Sequence, residues 1–155
     1  MGKEIERKFL VRRDLWFAIH KPAGVEIIQG YLLDSAEKII RLRIYGKLAY
    51  LTIKGPTIGI SRSEFEYSIP LEDGLEMMQL FISRKIEKVR YKTEFEGKTW
   101  EIDEFFGVHE GLIIAEIELN SADEKFDIPP WLGDEVTSDP RYFNSWLCGN
   151  QKVPS

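Results

Sequence analysis

Cysteine is almost absent from this chain. Cys148 is the only one among 155 residues, so no intrachain disulfide can form and a reducing compartment is expected. The 21 Lys and Arg residues are outnumbered by 26 Asp and Glu residues, and the resulting net charge of −5 argues against a general nucleic-acid or anionic-membrane surface. No apolar run approaches the roughly 20 residues of a membrane-spanning helix, and the N-terminus is too charged for a signal peptide. We therefore expect a cytoplasmic protein that binds neither membranes nor nucleic acid.

The chain contains 43% hydrophobic and 30% charged residues, which is typical of a globular domain. No repeat or linker divides it, so one domain over residues 1–155 is expected. Segments that alternate with a period of two predict strands. They are Glu4–Val11, Val25–Leu33, Ile39–Tyr45, Ala49–Lys54, Arg62–Ile69, Glu87–Phe95, Thr99–Phe106 and Leu112–Asn120.

Helical signals are fewer. An apolar stripe predicts a helix that begins near Glu72. The segment Ser121–Glu124 matches a capping box and predicts a short helix that ends before Pro129. Asp139 before a proline predicts a last helix over about 140–148, and residues 14–24 are expected to form a loop or one turn. The predicted fold is mainly β (α+β), an eight-stranded antiparallel sheet that can close into a barrel with a few helices outside.

Charged residues share one face of nearly every predicted strand. They occur as doublets of one sign, with almost no Asn or Gln among them. A surface that only keeps a protein soluble tends to mix signs, although a solvated outer face would explain any single strand. Acidic doublets suit a hard cation, and basic doublets suit phosphate oxygens. The pattern therefore indicates a site for a metal-bound polyphosphate.

Closure of the sheet would bring these charged faces together. If they lie inside the barrel, they form a polar tunnel, and the apolar outer wall is left for the helices to cover. Burial of so many charges requires that opposite signs and a ligand compensate them. Trp16, Trp100, Trp131 and Trp146 are accordingly expected to pack on the outer wall.

The charged motifs resemble the CYTH domain, the triphosphate tunnel metalloenzyme superfamily, and in particular its small bacterial inorganic triphosphatase (tripolyphosphatase)-like branch. In order, they are Glu4-x-Glu6-x-Lys8, Arg41-x-Arg43, Lys54, Arg62-x-Glu64-x-Glu66, Lys88-x-Arg90, Asp103 and Glu116-x-Glu118. The resemblance implies an eight-stranded antiparallel β-barrel with a solvent-open tunnel and Mg²⁺ or Mn²⁺ as cofactor. It also implies metal-dependent hydrolysis of inorganic triphosphate to diphosphate and phosphate. Whether the chain forms a homodimer is left open.

The resemblance also implies roles for individual residues. The residues that would bind triphosphate are Lys8, Arg41, Arg43, Lys54, Arg62, Lys88 and Arg90. Tyr31 is added as a strand tyrosine that could reach the substrate. Metal binding falls to Glu4, Glu6, Asp103, Glu116 and Glu118, with Glu64 and Glu66 as ligands of a second metal or as positioning groups. The residues expected to act in catalysis are Glu116, Glu118, Lys8 and Arg41.

Other functions stay open at this point. A class IV-type adenylyl cyclase, a thiamine triphosphatase or an RNA triphosphatase would use the same tunnel residues on another triphosphate. A non-catalytic polyphosphate-binding module would keep the basic residues and bind without turnover. A nucleic-acid adaptor is disfavoured by the net charge.

Overall fold

A computed structural model describes residues 3–149, and antiparallel strands dominate it. The strands are β1 Lys3–Val11, β2 Val25–Asp34, β3 Ile39–Tyr45, β4 Leu48–Lys54, β5 Ser61–Ile69, β6 Ile86–Phe95, β7 Lys98–Phe105, β8 Ile113–Glu118 and β9 Leu132–Glu135. The helices are α1 Arg13–Phe17, α2 Leu71–Phe81 and α3 Asn144–Gly149, with 3-10 turns at Gly107–His109 and Pro140–Tyr142. Every predicted strand is confirmed. The single-domain prediction also spans residues 1–2 and 150–155, which lie outside the described residues.

The sheet closes through the two halves of β1. Neighbouring strands follow the order β5-β4-β3-β2-β6-β7-β8-β1, and β1 pairs in turn with β5. Only Lys3–Ile5 of β1 pairs with β5, whereas the stretch Phe9–Val11 pairs with the extra strand β9. The predicted eight-stranded antiparallel barrel is therefore confirmed, and β9, which the sequence analysis missed, covers the edge that β5 leaves open.

Strand β3 shows how the two faces divide. Arg41 and Arg43 point into the barrel, where they border its central cavity. Leu42 and Ile44 point outward and pack with Met78 of α2. This division follows from the two-residue period of a strand, and it confirms that the charged faces lie inside.

Aromatic side chains cover the other side of the barrel wall. We call Phe9, Trp16, Trp100, Phe126 and Trp131 the outer-wall aromatic cluster. Its rings meet edge to face, with centroids 5.4–6.1 Å apart, an arrangement that favours aromatic pairs. Trp16 brings α1 onto the wall. Packing on the outer wall is therefore confirmed for three of the predicted tryptophans.

The prediction of a short helix after the capping-box motif is wrong. The carboxylate of Glu124 accepts a hydrogen bond from the backbone N–H of Asn120 at 2.6 Å, one residue before the N–H that a capping box would use. The chain nevertheless forms only a turn at Ser121–Glu124 and then continues without a helix. Because no helix forms after this turn, Phe126 reaches the outer-wall aromatic cluster. Pro129 would also prevent a helix from extending further.

The predicted last helix is divided in two. Phe143 has an extended backbone (φ −73°, ψ 137°) between the Pro140–Tyr142 turn and α3. The break allows Tyr142 and Leu147 to pack together against inward-facing Phe105. One end of the barrel interior is thus filled by apolar side chains. No helix between residues 3 and 149 has the length and apolarity needed to cross a membrane.

Gly74 lies where α2 crosses β4. A Cβ at this position would lie 2.6 Å from the Cβ of Ala49. Replacement of glycine by alanine in a helix usually stabilises a protein by about 1 kcal/mol. Here we expect Gly74→Ala to lower the free energy of unfolding by about 1–3 kcal/mol because the contact becomes overpacked. Urea unfolding measures this change.

A double-mutant cycle provides the control. In an Ala49→Gly background the obstructing Cβ is gone, so adding Gly74→Ala should be neutral or stabilising. Equal effects of Gly74→Ala in both backgrounds would contradict the close contact between helix and sheet.

Candidate active site

The barrel encloses a cavity of about 780 Å³ that opens to solvent. Nearly all of the charged residues singled out in the sequence border it. They are Glu4, Glu6, Lys8, Arg41, Arg43, Lys54, Arg62, Glu64, Glu66, Arg90, Glu116 and Glu118, together with Tyr31. The two exceptions, Lys88 and Asp103, are almost fully buried behind Arg90. We call the seven Lys and Arg residues predicted to bind triphosphate the basic cluster.

Register between neighbouring strands brings opposite charges together. Lys54 of β4 lies opposite Glu64 of β5, and its Nζ is 3.7 Å from that carboxylate and 3.4 Å from Glu4. Lys8 of β1 lies opposite Glu116 of β8 at 3.8 Å. Because these ion pairs are long, the ammonium groups are held near the cavity without being tightly bound to a carboxylate.

Asp103 makes the tightest ion pairs of the site. Its oxygens accept hydrogen bonds from Arg90 at 2.8 and 2.9 Å, and Lys88 Nζ lies 2.7 Å away. Although burial raises the pKa of Asp103, Arg90 and Lys88 hold that pKa far below its usual range. Burial lowers the pKa of Lys88 to about 7 despite Asp103. Both Asp103 oxygens are thus engaged by protein cations, and a metal-ligand role for Asp103 stays a prediction.

Three guanidinium groups of the basic cluster, those of Arg41, Arg43 and Arg90, lie near one another. Burial, and after it the charges of Arg41 and Arg90, lower the pKa of Arg43 to about 9, so repulsion between guanidinium groups adds to the effect of burial. Arg41 Nε is buried and has no acceptor among residues 3–149. A buried donor without a partner is costly, so an anion with several oxygens would stabilise this side of the cavity.

Carboxylates line the same cavity next to the lysines of the basic cluster. We call Glu4, Glu6, Glu116 and Glu118 the acidic cluster. Burial and a hydrogen bond with Glu64 raise the pKa of Glu4 to about 7. Burial, Glu116 and Glu4 raise the pKa of Glu6, and burial together with Glu4 raises that of Glu118. Such raised pKa values report like charges that a cation would relieve.

Glu116 differs from its neighbours in the acidic cluster. Burial raises its pKa, but Lys8 and Arg90 lower it to about 2, so it is a carboxylate at neutral pH. Oxygen donors of this kind fit a hard divalent cation. As positioned in the described part of the chain, no three acidic, His or Cys side chains converge closely enough to enclose a metal. The donor chemistry fits a metal, and the ligand set stays a prediction.

Three polar residues of the site were missed in the sequence. Thr52 accepts a hydrogen bond from Arg41 at 3.2 Å and donates one to Glu66 at 3.1 Å. Gln29 and Asn144 contact other members of the basic cluster. Thr52 lies two residues before Lys54 on β4, so the two side chains share a face. That shared face was the signal from which Thr52 could have been predicted. Asn144 carried no signal, because only the chain break before α3 brings it to the barrel.

Known proteins resemble this chain along almost its full length. A family model described as the CYTH domain matches residues 2–143. An inorganic triphosphatase of Acetivibrio thermocellus is 49% identical over 151 residues, which cover 97% of this chain and 96% of that protein. An inorganic triphosphatase of Nitrosomonas europaea is 37% identical over 149 residues, covering 94% and 96%. The crystal structure of an inorganic triphosphatase matches with a TM-score of 0.68 at 32% identity, covering 100% of this chain and 99% of that one.

Proposed function

Because this chain belongs to the CYTH domain family, we propose that it hydrolyses inorganic triphosphate to diphosphate and phosphate with the help of a divalent metal. The inorganic triphosphatases that are 49% and 37% identical to it support this substrate. The observation that carries the proposal is that one cavity brings a basic cluster and an acidic cluster side by side. In a linear triphosphate with a bound cation, the phosphate oxygens would complement the basic cluster and the cation would complement the acidic cluster.

The basic cluster would bind the phosphate oxygens. Arg41, with its unpartnered Nε, and Arg43 present guanidinium groups, whose planar donors suit phosphate. Lys8 and Lys54 add ammonium groups whose ion pairs are long. During transfer these cations would stabilise negative charge on the transferred phosphoryl group and on the departing diphosphate.

The acidic cluster would hold Mg²⁺ or Mn²⁺, with Glu64 and Glu66 as further candidates. When bound, such an ion would withdraw charge from phosphoryl oxygens and favour deprotonation of water. Glu116 and Glu118 are proposed to orient the attacking water. Lys8, 3.8 Å from Glu116, would keep that carboxylate charged and aimed at the substrate.

A substrate panel tests the proposal. Phosphate release from inorganic triphosphate, thiamine triphosphate and ATP is measured with Mg²⁺, Mn²⁺ or EDTA. We expect metal-dependent release from inorganic triphosphate that exceeds release from the other two by at least about tenfold, because no described segment adds a nucleoside or thiazolium pocket.

Each alternative gives a different result in that panel. Faster release from thiamine triphosphate would identify a thiamine triphosphatase. Cyclic AMP and diphosphate formed from ATP would identify a cyclase. Binding of triphosphate without turnover under any metal would identify a binding module, and each of these results would overturn the proposal.

We further propose a cytoplasmic location, supported by the single cysteine. A homodimer is a separate prediction, which light scattering coupled to size-exclusion chromatography tests directly.

A further inference from the structure

We propose that Gln29 and Asn144 are positioning residues that hold Arg43 and Lys88 through uncharged oxygen atoms. The inference rests on the proposed binding of triphosphate by the basic cluster. Both residues lie outside the charged motifs, and Gln29 is fully buried.

The two amides form a continuous hydrogen-bonded link. Gln29 lies opposite Arg43 in the β2–β3 register, and its Oε1 accepts a hydrogen bond from Arg43 Nε at 2.7 Å. Gln29 Nε2 donates to Asn144 Oδ1 at 3.4 Å and to Tyr31 Oη at 3.3 Å. Asn144 Oδ1 also accepts from Lys88 Nζ at 2.8 Å. Arg43 is thus held by a neutral acceptor, and Lys88, which also lies 2.7 Å from Asp103, gains a neutral second partner.

Neutral partners have a consequence for anion binding. Arg43 has no carboxylate within ion-pair distance in the described chain, whereas Lys8 has one and Lys54 has two. A carboxylate next to Arg43 would compete with a phosphate oxygen for the guanidinium. An amide oxygen fixes the direction of the N–H group and leaves the positive charge for the substrate.

Asn144 reaches Gln29 and Lys88 because the helical conformation is broken at Phe143, in the middle of the C-terminal segment, residues 140–149. Phe143 is extended, so the first residue of α3 turns toward the barrel end. The same segment contacts Lys8, whose Nζ donates to the Tyr142 carbonyl at 3.3 Å and lies 5.5 Å from the Phe143 ring centre. The C-terminal segment therefore orients two lysines of the basic cluster and has more than a packing role.

Two kinds of isosteric variant separate acceptor geometry from charge. Gln29→Glu and Asn144→Asp keep an acceptor but add a negative charge, whereas Gln29→Met and Asn144→Leu keep the volume and remove the acceptor. The dissociation constant for inorganic triphosphate is measured by titration calorimetry in EDTA. Values of kcat and KM are then measured with Mg²⁺, and thermal unfolding shows whether each variant is folded.

The two kinds of variant should fail differently. We expect the acidic variants to raise both the dissociation constant and KM by roughly tenfold or more, because the new carboxylate neutralises a cation. We expect the apolar variants to lower kcat by roughly tenfold, because a misplaced cation stabilises the transition state less. Gln79 is exposed on α2, so Gln79→Glu and Gln79→Met are matched controls that should behave like the wild type.

The outcomes also distinguish this inference from the proposed function. Folded variants at positions 29 and 144 that bind and turn over triphosphate within twofold of the wild type would overturn the positioning role while the function stands. A wild type that binds triphosphate without hydrolysing it would overturn the function, and weaker binding by the acidic variants would still support the inference. A wild type that neither binds triphosphate in EDTA nor hydrolyses it with Mg²⁺ or Mn²⁺ would overturn both.

Discussion

Glu116→Gln is expected to lower kcat for triphosphate hydrolysis by roughly 10³-fold without unfolding the barrel. Glu116 is the member of the acidic cluster whose pKa is lowered, to about 2 by Lys8 and Arg90 against the effect of burial, so its negative charge is present at neutral pH. Glutamine has the same shape but removes that charge from the place where metal and water are proposed to bind.

The fold should tolerate this change. Lys8 loses an ion pair of 3.8 Å but keeps its hydrogen bond to the Tyr142 carbonyl and its contact with the Phe143 ring. Circular dichroism and thermal unfolding check the fold, and steady-state phosphate release gives kcat. The matched control is Glu87→Gln, an exposed position of β6 whose side chain points away from the barrel interior. A Glu116→Gln enzyme that retains the wild-type kcat would remove Glu116 from the proposed machinery.

Arg41→Ala is expected to raise KM for inorganic triphosphate by about 10- to 100-fold. Arg41 is nearly buried, its Nε has no acceptor among the described residues, and its closest carboxylate, that of Glu66, is 3.5 Å away. A hydrogen bond between charged groups is worth about 1.5–3 kcal/mol, which corresponds to this range of KM. The KM of Arg41→Lys should lie between those of the wild type and Arg41→Ala, because lysine keeps the charge but loses the planar donor pair.

The matched control for Arg41 is Arg13→Ala, an exposed position on α1. It removes the same charge at a distance from the cavity, so it should leave KM unchanged. If both variants shift KM equally, the effect comes from net charge alone, and a specific contact between Arg41 and phosphate would be rejected.

The sequence predicted the barrel well because two signals agree along it. Alternation of Arg41 and Arg43 with Leu42 and Ile44 gives both the strand and its two faces. Doublets of one charge sign then indicate that the polar face is the inner one. The charged residues that border the cavity were predicted for the same reason, since each lies on an alternating strand.

What the sequence could not predict depends on distant contacts. Strand β9 exists because β5 pairs only with the first residues of β1 and leaves the edge at Phe9–Val11 free. No helix forms after Ser121 because Phe126 packs on a wall built from other strands. Asn144 meets Lys88 only through the break at Phe143. Local patterns contain none of this information.

Binding and cleavage of inorganic triphosphate in one cavity can be followed by ³¹P nuclear magnetic resonance, which resolves the substrate and both products. Wild-type protein is mixed with inorganic triphosphate and Mg²⁺, and a parallel sample contains EDTA. We expect the triphosphate signals to disappear while diphosphate and orthophosphate accumulate in equal amounts, and only when the metal is present. Triphosphate that persists with Mg²⁺ and with Mn²⁺, or that is consumed equally in EDTA, would contradict this expectation.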